Sequence, residues 1–395
     1  KALHTLATSS ARMYRPVVAI LVGASVLQHA SCFAPSSAPA IHSKASILSS
    51  SCSPRAGGRG TAAAPRMAAG DRVTLAGGLE VSKVGIGAWS WGDSLFWGYD
   101  KGMEEDAYLA YKTTREAGIN LIDTAEVYGG VGSDWGLSEK LCGKFDKRFQ
   151  EEEKREGAVI ASKFAVIPTR FTRESVVKAV KQSNERLGVS CMDLYQLHWP
   201  GFFVDAALWD GLADAADMGL VKSVGVSNYS AKRMREAHKA LAARGVPLAT
   251  NQVQYSLLHR NIEKNGVKEA CEDLGVGILA YSPLAQGVLT GRYSASNLPK
   301  GPRANIMKGR FDQLDPLLDG LREIGEAHGD KSRSQVALNW LTSKGSIPIP
   351  GARNAAQASE NAGAMGWELT GEEVMRLDEL SLKLEPFPGM PLAAM

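Results

Sequence analysis

Four polar residues follow successive apolar segments of the chain at nearly regular spacing. Asp123 ends one segment and Tyr128 follows it, Lys163 ends the next segment, and His198 ends the one after that. The separation from Tyr128 to Lys163 is 35 residues, and so is the separation from Lys163 to His198. If the three segments are neighbouring parallel strands, their carboxyl ends bring the four side chains into one cluster.

Together these residue types can move a proton to a carbonyl oxygen. A tyrosine has a pKa of about 10 and donates its proton slowly at neutral pH. An ammonium group beside it favours the phenolate and lowers that pKa; Lys163 can supply one, and Asp123 can keep the lysine charged. An imidazole at His198 can orient a substrate oxygen. Each residue alone is more often a helix cap, a surface group or a loop residue, but four at strand ends indicate a proton relay.

The region after Asp71 alternates strand-like apolar runs with helical patterns. The predicted strands are Val84–Ala88, Asn120–Asp123, Ala158–Ala161, Met192–His198, Lys222–Val226, Ala249–Gln254, Gly277–Tyr281 and Ser346–Ile349. The predicted helices between them are Glu104–Ala117, Ser138–Phe149, Arg173–Leu187, Asp205–Met218, Ala231–Ala243, Glu263–Leu274 and Ser332–Ser343. The strands recur at the interval of a βαβ unit. The last interval is much longer than the others, which predicts an insertion with a loop at 286–315 and an extra helix at Leu317–His328.

This alternation predicts an α/β protein and favours a (β/α)8 TIM barrel over an open doubly wound sheet, which remains the alternative. Val73–Leu75 and Leu79–Val81 flank Gly77 and Gly78, which predicts an N-terminal β-hairpin. Extra helices are expected near the C-terminus. The segment Gly85–Trp89 lacks the third glycine of a Rossmann motif, so a Rossmann cofactor site is not expected.

Seven motifs occur in an order that resembles the aldo-keto reductases. They are NLIDTAEVYG, ASKF, DLYQLHWP, GVSNYS, TNQVQYS, AYSPLAQGVLTG and IPIPGARN followed by QASEN, and they extend from about Leu79 to Glu385. The resemblance implies a (β/α)8 barrel that reduces small carbonyl substrates with NADP(H) as cofactor and without a metal. It also implies that the four polar residues described above form the catalytic tetrad of the family.

The later motifs predict a cofactor cleft. Ser227, Asn228 and Gln252, at the ends of the fifth and sixth strands, can supply the donors and acceptors that a nicotinamide carboxamide needs. Tyr281, at the end of the seventh strand, offers a flat ring for the nicotinamide, a stacking role that the resemblance assigns to it. The resemblance also implies a loop across the pyrophosphate that contains Ser282, Leu284, Gln286 and Gly287. Candidates for phosphate contacts, with a solvated loop as the alternative, are Arg292 and Arg303.

The start of the helix after the eighth strand is the predicted binding site for the phosphate on the adenosine part of the cofactor. Helix N-termini bind phosphate through free amides and the dipole, and a guanidinium adds a charge-assisted contact. We expect Arg353 to bind the 2′-phosphate and to favour NADP over NAD. The other residues expected at this end of the cofactor are Gly351, Gln357, Asn361 and Glu360, the last of them nearer the adenine than a phosphate.

One position departs from part of the family. Some aldo-keto reductases carry Arg where Gln357 stands in this chain. The chain instead resembles the branch that includes potassium-channel β subunits and chloroplast reductases. The sequence therefore does not decide which residue binds the 2′-phosphate.

Aromatic residues near the predicted barrel mouth indicate an apolar substrate pocket. The expected pocket residues are Trp89, Trp91, Trp97 and Trp199, with Phe96, Tyr99 and Phe202 or Phe203 as further candidates. Ordinary packing is the alternative for each of them. Such a pocket suits planar or apolar aldehydes and ketones and selects none in particular.

Two further functions stay open beside general carbonyl reduction. The first is a cofactor-binding redox sensor of low turnover, similar to the channel β subunits. Those proteins carry Asn where this chain has His198, so His198 favours an enzyme. The second is a pyridoxal reductase, because plastid members of this branch include that activity, although no residue selects pyridoxal.

Residues 1–70 differ in composition from the rest of the chain. They contain seven Lys or Arg and no Asp or Glu, which leaves 38 basic and 42 acidic residues in 71–395. A slightly acidic body argues against nucleic-acid binding. Five cysteines, two of them within 1–70, are too few and too scattered for a disulfide scaffold or a zinc site.

This N-terminal segment has the organisation of a targeting leader. The apolar run Pro16–Leu27 follows Arg12 and Arg15, and the junction ASCFAP precedes a tract rich in Ser, Ala and Pro. This order resembles the signal-plus-transit leaders of algae with secondary plastids. We therefore expect a leader over 1–67, a barrel over 71–390, and delivery to the plastid stroma. No nucleic-acid or membrane partner is expected for the mature protein, and the oligomeric state is not predicted.

Overall fold

The computed structural model describes residues 71–94, 96–130, 135–201, 205–298, 311 and 313–384. The predicted leader over 1–67, the phosphate candidate Arg303, and the pocket candidates Phe202 and Phe203 lie outside the described residues. Of the helices within these ranges, none combines the length and the apolar character that crossing a membrane requires.

Eight parallel strands form a nearly closed barrel, and two more form a hairpin. In chain order the strands are β1 (Arg72–Leu75), β2 (Leu79–Ser82), β3 (Ile86–Gly87), β4 (Leu121–Asp123), β5 (Val159–Phe164), β6 (Met192–Leu197), β7 (Val221–Ser227), β8 (Leu248–Gln254), β9 (Gly277–Tyr281) and β10 (Ser346–Pro348). From β3 to β10 each strand pairs with the next one along the chain. A parallel bridge from Gly87 to Gly351 brings the first barrel strand beside the last. The predicted α/β class and (β/α)8 barrel are confirmed.

Helices cover the outside of the barrel. They are α1 (Glu104–Glu116), α2 (Leu137–Glu153), α3 (Arg173–Leu187), α4 (Ala206–Asp217), α5 (Ala231–Ala242), α6 (Val267–Leu274), α7 (Asp315–Ala327), α8 (Arg333–Ser343), α9 (Ala355–Ala362) and α10 (Gly371–Leu382). The insertion helix predicted at Leu317–His328 is α7. The single helix predicted over Glu263–Leu274 is wrong. A separate 3-10 turn covers Asn261–Glu263, and Gly266, at φ 78°, interrupts the helix before α6 begins.

The hairpin of β1 and β2 closes the amino end of the barrel. Leu75 pairs with Leu79 across the turn, and Gly77 and Gly78 supply the left-handed backbone that the turn needs. The apolar side chains that pack together at this end include Leu75, Leu79 and Val81 from the hairpin and Leu121, Leu194, Leu279 and Ile347 from the strands. Burial of apolar surface stabilises the packing of the hairpin against the strands. The amino end of the barrel is therefore closed, and a binding site can form only at the carboxyl end.

A polar layer lies inside the barrel beyond this apolar layer. Its members are each at most 2% exposed and are Asp123, Lys163, Gln196, Thr250 and Gln252. Buried polar groups need hydrogen-bond partners, and these side chains bond to one another. The barrel interior therefore holds charged groups in a fixed arrangement below its mouth.

Candidate active site

Lys163 lies at the centre of the site. Side chains alternate along β5, so the Ser162 hydroxyl points outward to Glu139 on α2, while Lys163 points into the barrel. The Lys163 Nζ atom lies 2.5 Å from Asp123 Oδ2, 2.8 Å from the Thr124 carbonyl oxygen and 3.3 Å from the Tyr128 hydroxyl oxygen. The structure thus brings together three of the four residues singled out from their spacing.

These contacts fix where the protons are. An ammonium group has three protons, and the three oxygens around Lys163 accept them. Because Lys163 donates to the phenol oxygen, the proton of Tyr128 is left for another acceptor. The expected lowering of the Tyr128 pKa by Lys163 is wrong. Burial, with a smaller effect of the Asp123 charge, raises that pKa well above its usual value, so the phenol keeps its proton at neutral pH. Burial lowers the pKa of Lys163, and the Asp123 carboxylate opposes that decrease.

His198 joins the cluster at the end of β6. Its backbone N–H donates to the Phe164 carbonyl oxygen at 2.9 Å, which extends the ladder between β5 and β6. The imidazole ring lies 5.6 Å from the Tyr128 ring, centroid to centroid. Burial and the Lys163 charge lower the pKa of His198 well below 6.5, so the imidazole is neutral at neutral pH. Its buried Nδ1 has no hydrogen-bond partner in the described part of the chain.

Gln252 is bonded to the same carboxylate as Lys163. Its Nε2 atom donates to Asp123 Oδ1 at 2.8 Å, and Gln196 Nε2 lies 3.5 Å from that oxygen. The Thr250 hydroxyl in turn donates to Gln196 Oε1 at 3.1 Å. The predicted contact of Gln252 with a nicotinamide carboxamide would therefore be made by a side chain whose amide nitrogen is already held by Asp123.

Asn228 and Tyr281 meet beside the tetrad. The Tyr281 hydroxyl donates to Asn228 Oδ1 at 2.9 Å. Asn228 Nδ2 donates to the His198 carbonyl oxygen at 3.2 Å and to Ser227 Oγ at 3.1 Å. The Ser227 hydroxyl donates to the backbone oxygen of Gln252. The four residues predicted around a nicotinamide thus form one connected group, which fixes the aromatic ring of Tyr281 near the mouth.

The backbone after β9 is left-handed at several residues. Ser282, Ala285 and Gln286 have φ values of 50°, 47° and 57°, and Gly287 has 97°. Each such non-glycine residue costs on the order of 1–3 kcal/mol, and strain of this kind is kept mainly at binding loops. Left-handed residues also turn successive backbone N–H groups toward one point, which suits an anion. Leu284 lies within this loop, and Arg292 is exposed just beyond it.

Arg353 lies next to the first turn of α9. The Asn354 side chain caps this helix by accepting from the Gln357 backbone N–H, and the Arg353 backbone N–H donates to Gln357 Oε1 at 2.9 Å. Gln357 is thus held by the helix start itself. The Arg353 side chain is exposed, and its guanidinium forms no ion pair with the described residues. A free guanidinium beside a helix N-terminus fits a phosphate group.

The remaining two residues predicted at this end have partners within the protein. Asn361 Nδ2 donates to the Gly351 carbonyl oxygen at 3.2 Å and so links α9 to the end of β10. Glu360 accepts from the hydroxyl of Ser332, the residue that caps α8. A contact of Glu360 with an adenine would compete with this hydrogen bond.

Trp89, Phe96 and Trp97 form an aromatic wall beside Tyr128. The Trp89 ring stacks on Phe96 with centroids 5.0 Å apart and on Tyr128 with centroids 5.8 Å apart. Asp93 organises this wall, because its carboxylate accepts from the Trp89 indole N–H at 2.9 Å and from the Phe96 backbone N–H at 2.7 Å. Trp97 packs edge-on against Trp89. These three residues lie beside Tyr128 and remain candidates for the predicted substrate pocket.

The two other predicted pocket tryptophans differ from each other. Trp199 packs against His198 at 4.6 Å between ring centroids, and its indole N–H donates to the Val166 carbonyl oxygen. The prediction for Trp91 is wrong. Trp91 is fully buried among Tyr111 and Phe145 in the layer between barrel and helices, so it belongs to the core.

Three residues of the site were not singled out from the sequence. They are Asp93, which anchors the aromatic wall, Gln196, which contacts Asp123, and Glu126, which lies two residues before Tyr128. The position of Glu126 within the motif NLIDTAEVYG is the one signal that the sequence offers for it. The contact of Gln196 comes from a distant segment, whereas Asp93 bonds to Trp89 and Phe96 within its own turn.

Comparisons with known proteins agree with this geometry. The profile of the Aldo/keto reductase family matches residues 83–382. The chain is 42% identical over 307 residues to a chloroplastic pyridoxal reductase from Arabidopsis thaliana, which covers 76% of this chain and 84% of that protein. It is 34% identical over 324 residues to an aldo-keto reductase from Strobilurus tenacellus, which covers 78% and 91%.

A solved structure shares the architecture as well. The glycerol dehydrogenase from Gluconobacter oxydans superimposes with a TM-score of 0.70 at 28% identity, over 82% of this chain and 99% of that one. The family profile and the identity to its members extend over nearly all the residues that form the barrel. The chain belongs to the Aldo/keto reductase family and is an oxidoreductase.

Proposed function

We propose that this protein reduces aldehydes or ketones to alcohols with NADPH, using Tyr128 as the proton donor. The observation that carries the proposal is the chain of contacts from Asp123 through Lys163 to Tyr128, with His198 beside it. NADPH, when bound, supplies the hydride that the carbonyl carbon accepts.

Each side chain contributes one part of the proton transfer. The Tyr128 hydroxyl donates its proton to the carbonyl oxygen as negative charge develops there. Lys163 stabilises the resulting phenolate through its charge and its hydrogen bond, and Asp123 balances the buried ammonium. The neutral His198 can donate to the same carbonyl oxygen and hold it toward Tyr128. Tyr128 then regains a proton from solvent.

The chain offers groups for both ends of NADPH. The Tyr281 ring, anchored by Asn228, presents a flat surface for the nicotinamide. The left-handed loop that contains Ser282 and Gln286 fits the pyrophosphate, and the exposed Arg353 offers a charge for the 2′-phosphate. These features support NADPH over NADH as the cofactor.

A substrate panel tests the proposal. We expect the purified protein to oxidise NADPH in the presence of aldehydes over many turnovers. Tyr128→Phe should lower kcat by roughly 100-fold to 10,000-fold, because it removes the proton and leaves the ring. NADPH binding, followed by protein fluorescence, should be nearly unchanged in that variant. Full turnover by Tyr128→Phe would refute the proposed mechanism.

A sensor of low turnover is the competing interpretation of the same site. It predicts one stoichiometric oxidation of bound NADPH followed by no second turnover. The neutral imidazole of His198 beside Tyr128 favours an enzyme, since it can donate a hydrogen bond to a substrate oxygen. Stopped-flow absorbance of NADPH distinguishes a single burst from a steady rate.

Pyridoxal is the substrate that we propose to test first. Support comes from the pyridoxal reductase of Arabidopsis thaliana, which is 42% identical. The wall of Trp89, Phe96 and Trp97 also suits a planar aromatic aldehyde. We expect kcat/KM for pyridoxal to exceed that for benzaldehyde and for an aliphatic aldehyde such as butanal. Equal values for the three would remove pyridoxal as the preferred substrate.

We also propose that the protein works in a plastid, with 1–67 as a leader and 71–390 as the barrel. The acid-free composition of residues 1–70 and the chloroplastic relative support this location. A fusion of residues 1–70 to a fluorescent protein, expressed in an alga with secondary plastids, should accumulate inside the plastid. Retention in the secretory pathway or the cytosol would contradict this.

A further inference from the structure

Glu126 is a buried carboxylate that the proposed proton transfer does not use. It lies on the loop after β4, two residues before Tyr128, and is 1% exposed. A carboxylate at this depth is costly unless it is paired and hydrogen-bonded. The hydrogen-bond partners of Glu126 therefore identify the segments that this carboxylate holds together.

The first partner directly follows β5, the strand that carries Lys163. The Ala165 backbone N–H donates to Glu126 Oε1 at 2.6 Å, and Ala165 is two residues beyond Lys163. The Glu126 backbone N–H also lies 3.4 Å from the Lys163 carbonyl oxygen. One carboxylate thus ties the loop immediately before Tyr128 to the strand end immediately after Lys163.

The second partner is an arginine on the loop after β5. Arg170 Nη1 donates to Glu126 Oε1 at 2.9 Å, and Arg170 Nη2 donates to Oε2 at 3.1 Å. This paired geometry fixes direction as well as distance. Arg170 also lies over the Phe164 ring, 4.5 Å from its centroid. The carboxylate is therefore held from two sides, and the loop before Tyr128 has little freedom to move.

Helices α2 and α3 complete a neutral cluster around this pair. Arg186 donates to Glu139 Oε2 at 2.5 Å, and its Nη2 atom lies 3.9 Å from Glu126 Oε2. Glu139 also accepts from the Ser162 hydroxyl on β5. Two carboxylates and two guanidinium groups thus balance one another directly outside the strand whose inner face carries Lys163.

We infer that Glu126 is a positioning residue, which holds the Tyr128 hydroxyl at hydrogen-bond distance from Lys163 through its bonds to Ala165 and Arg170. The inference rests on the proposed function. Tyr128 and Lys163 belong to different strand–loop units, so their separation of 3.3 Å depends on how those units are joined. A misplacement of a reacting group by about 1 Å can cost roughly 100-fold in rate. The hydrogen bonds of Glu126 between the two units can therefore affect catalysis although Glu126 does not touch the substrate.

The test compares Glu126→Gln with a matched control on α2, a buried carboxylate that bonds to the backbone beside the other end of β5. Asp146 is also buried, and it accepts from the Ala158 backbone N–H at 2.6 Å, at the opposite end of β5. We expect Glu126→Gln to lower kcat for pyridoxal by about tenfold to 100-fold, with KM and the Kd of NADPH changed by less than about twofold. The deuterium isotope effect with 4-deuterated NADPH should rise in this variant, because the chemical step becomes slower than product release. Asp146→Asn should lower the unfolding temperature and leave kcat and the isotope effect unchanged.

Arg170→Lys is a second variant for the case in which Glu126→Gln does not fold. It keeps the charge on a partly exposed side chain and removes the paired geometry, so we expect the same pattern with a smaller loss, about threefold to tenfold in kcat. Unchanged kcat in whichever of the two variants folds, or a loss that appears in KM or in NADPH binding instead, would overturn the inference.

Tyr128→Phe, measured in parallel, separates this inference from the proposed function. If that variant turns over normally, the proposed mechanism fails. If it is inactive while the Glu126 and Arg170 variants behave like Asp146→Asn, only the positioning role fails.

Discussion

Lys163 Nζ lies 2.5 Å from Asp123 Oδ2, and both side chains are buried. A buried ion pair of this kind contributes modestly to stability as a pair, yet either partner is strongly destabilising when left alone. The pair is therefore coupled to folding as well as to the chemistry of Tyr128.

Asp123→Asn should reveal this coupling. The substitution leaves a buried ammonium without its counter-charge, so we expect a loss of about 3–5 kcal/mol in the free energy of unfolding, measured by urea denaturation. The double variant Asp123→Asn with Lys163→Met should recover part of that loss, because it removes the unpaired charge. Activity should stay low in both. A double variant no more stable than Asp123→Asn would contradict this account.

The pH dependence of reduction follows from two pKa values displaced in opposite directions. Burial lowers the pKa of His198 well below 6.5, so the imidazole stays neutral above that pH. Burial raises the pKa of Tyr128 well above its usual value, so the phenol stays protonated into the alkaline range. We expect kcat to be constant from below about pH 6.5 to about pH 10, and to fall only at higher pH, where Tyr128 loses its proton. A transition centred near neutral pH would show that His198 titrates in the working enzyme.

The cofactor preference depends on Arg353. A hydrogen bond to a charged group contributes about 1.5–3 kcal/mol, so Arg353→Ala should raise the Kd of NADPH by roughly tenfold to 150-fold. The Kd of NADH, which lacks the 2′-phosphate, should change little. Arg376→Ala, which removes an exposed arginine from α10, is the control and should affect neither. Equal weakening of both cofactors by Arg353→Ala would place the 2′-phosphate elsewhere.

Trp89 and Trp91 should respond differently to truncation. Trp91 is fully buried in the core, so Trp91→Ala should cost about 3–5 kcal/mol in the free energy of unfolding. Trp89 stacks on Tyr128 at the mouth, and Trp89→Ala should instead raise KM for an aromatic aldehyde by about fivefold, equivalent to about 1 kcal/mol. Chemical denaturation and steady-state kinetics on both variants check the contrast.

The barrel and the position of the tetrad could be predicted because their signals are local. Buried parallel strands are short apolar runs, and polar residues at their carboxyl ends stand out against them, as Lys163 does after three buried residues. The assignment of Trp91 fails for a local reason too. Residues Ala88–Ser90 form a 3-10 turn rather than a continued strand, so alternation no longer decides which side chains face the mouth.

The parts that could not be predicted depend on contacts between distant segments. The carboxylate of Glu126 bonds to Arg170, 44 residues away, and Gln252 bonds to Asp123, 129 residues away. No spacing rule links such pairs before the barrel closes. Asp93 is a different case, because its partners Trp89 and Phe96 are four and three residues away, and its role depends on the conformation of that turn.

The hairpin that seals the amino end of the barrel also fixes where the chain enters the domain. Asp71 accepts the Lys83 backbone N–H beside that hairpin, on the side away from the tetrad. An affinity tag attached at Asp71, at the end of the barrel opposite Tyr128, should therefore leave the kinetic constants unaltered.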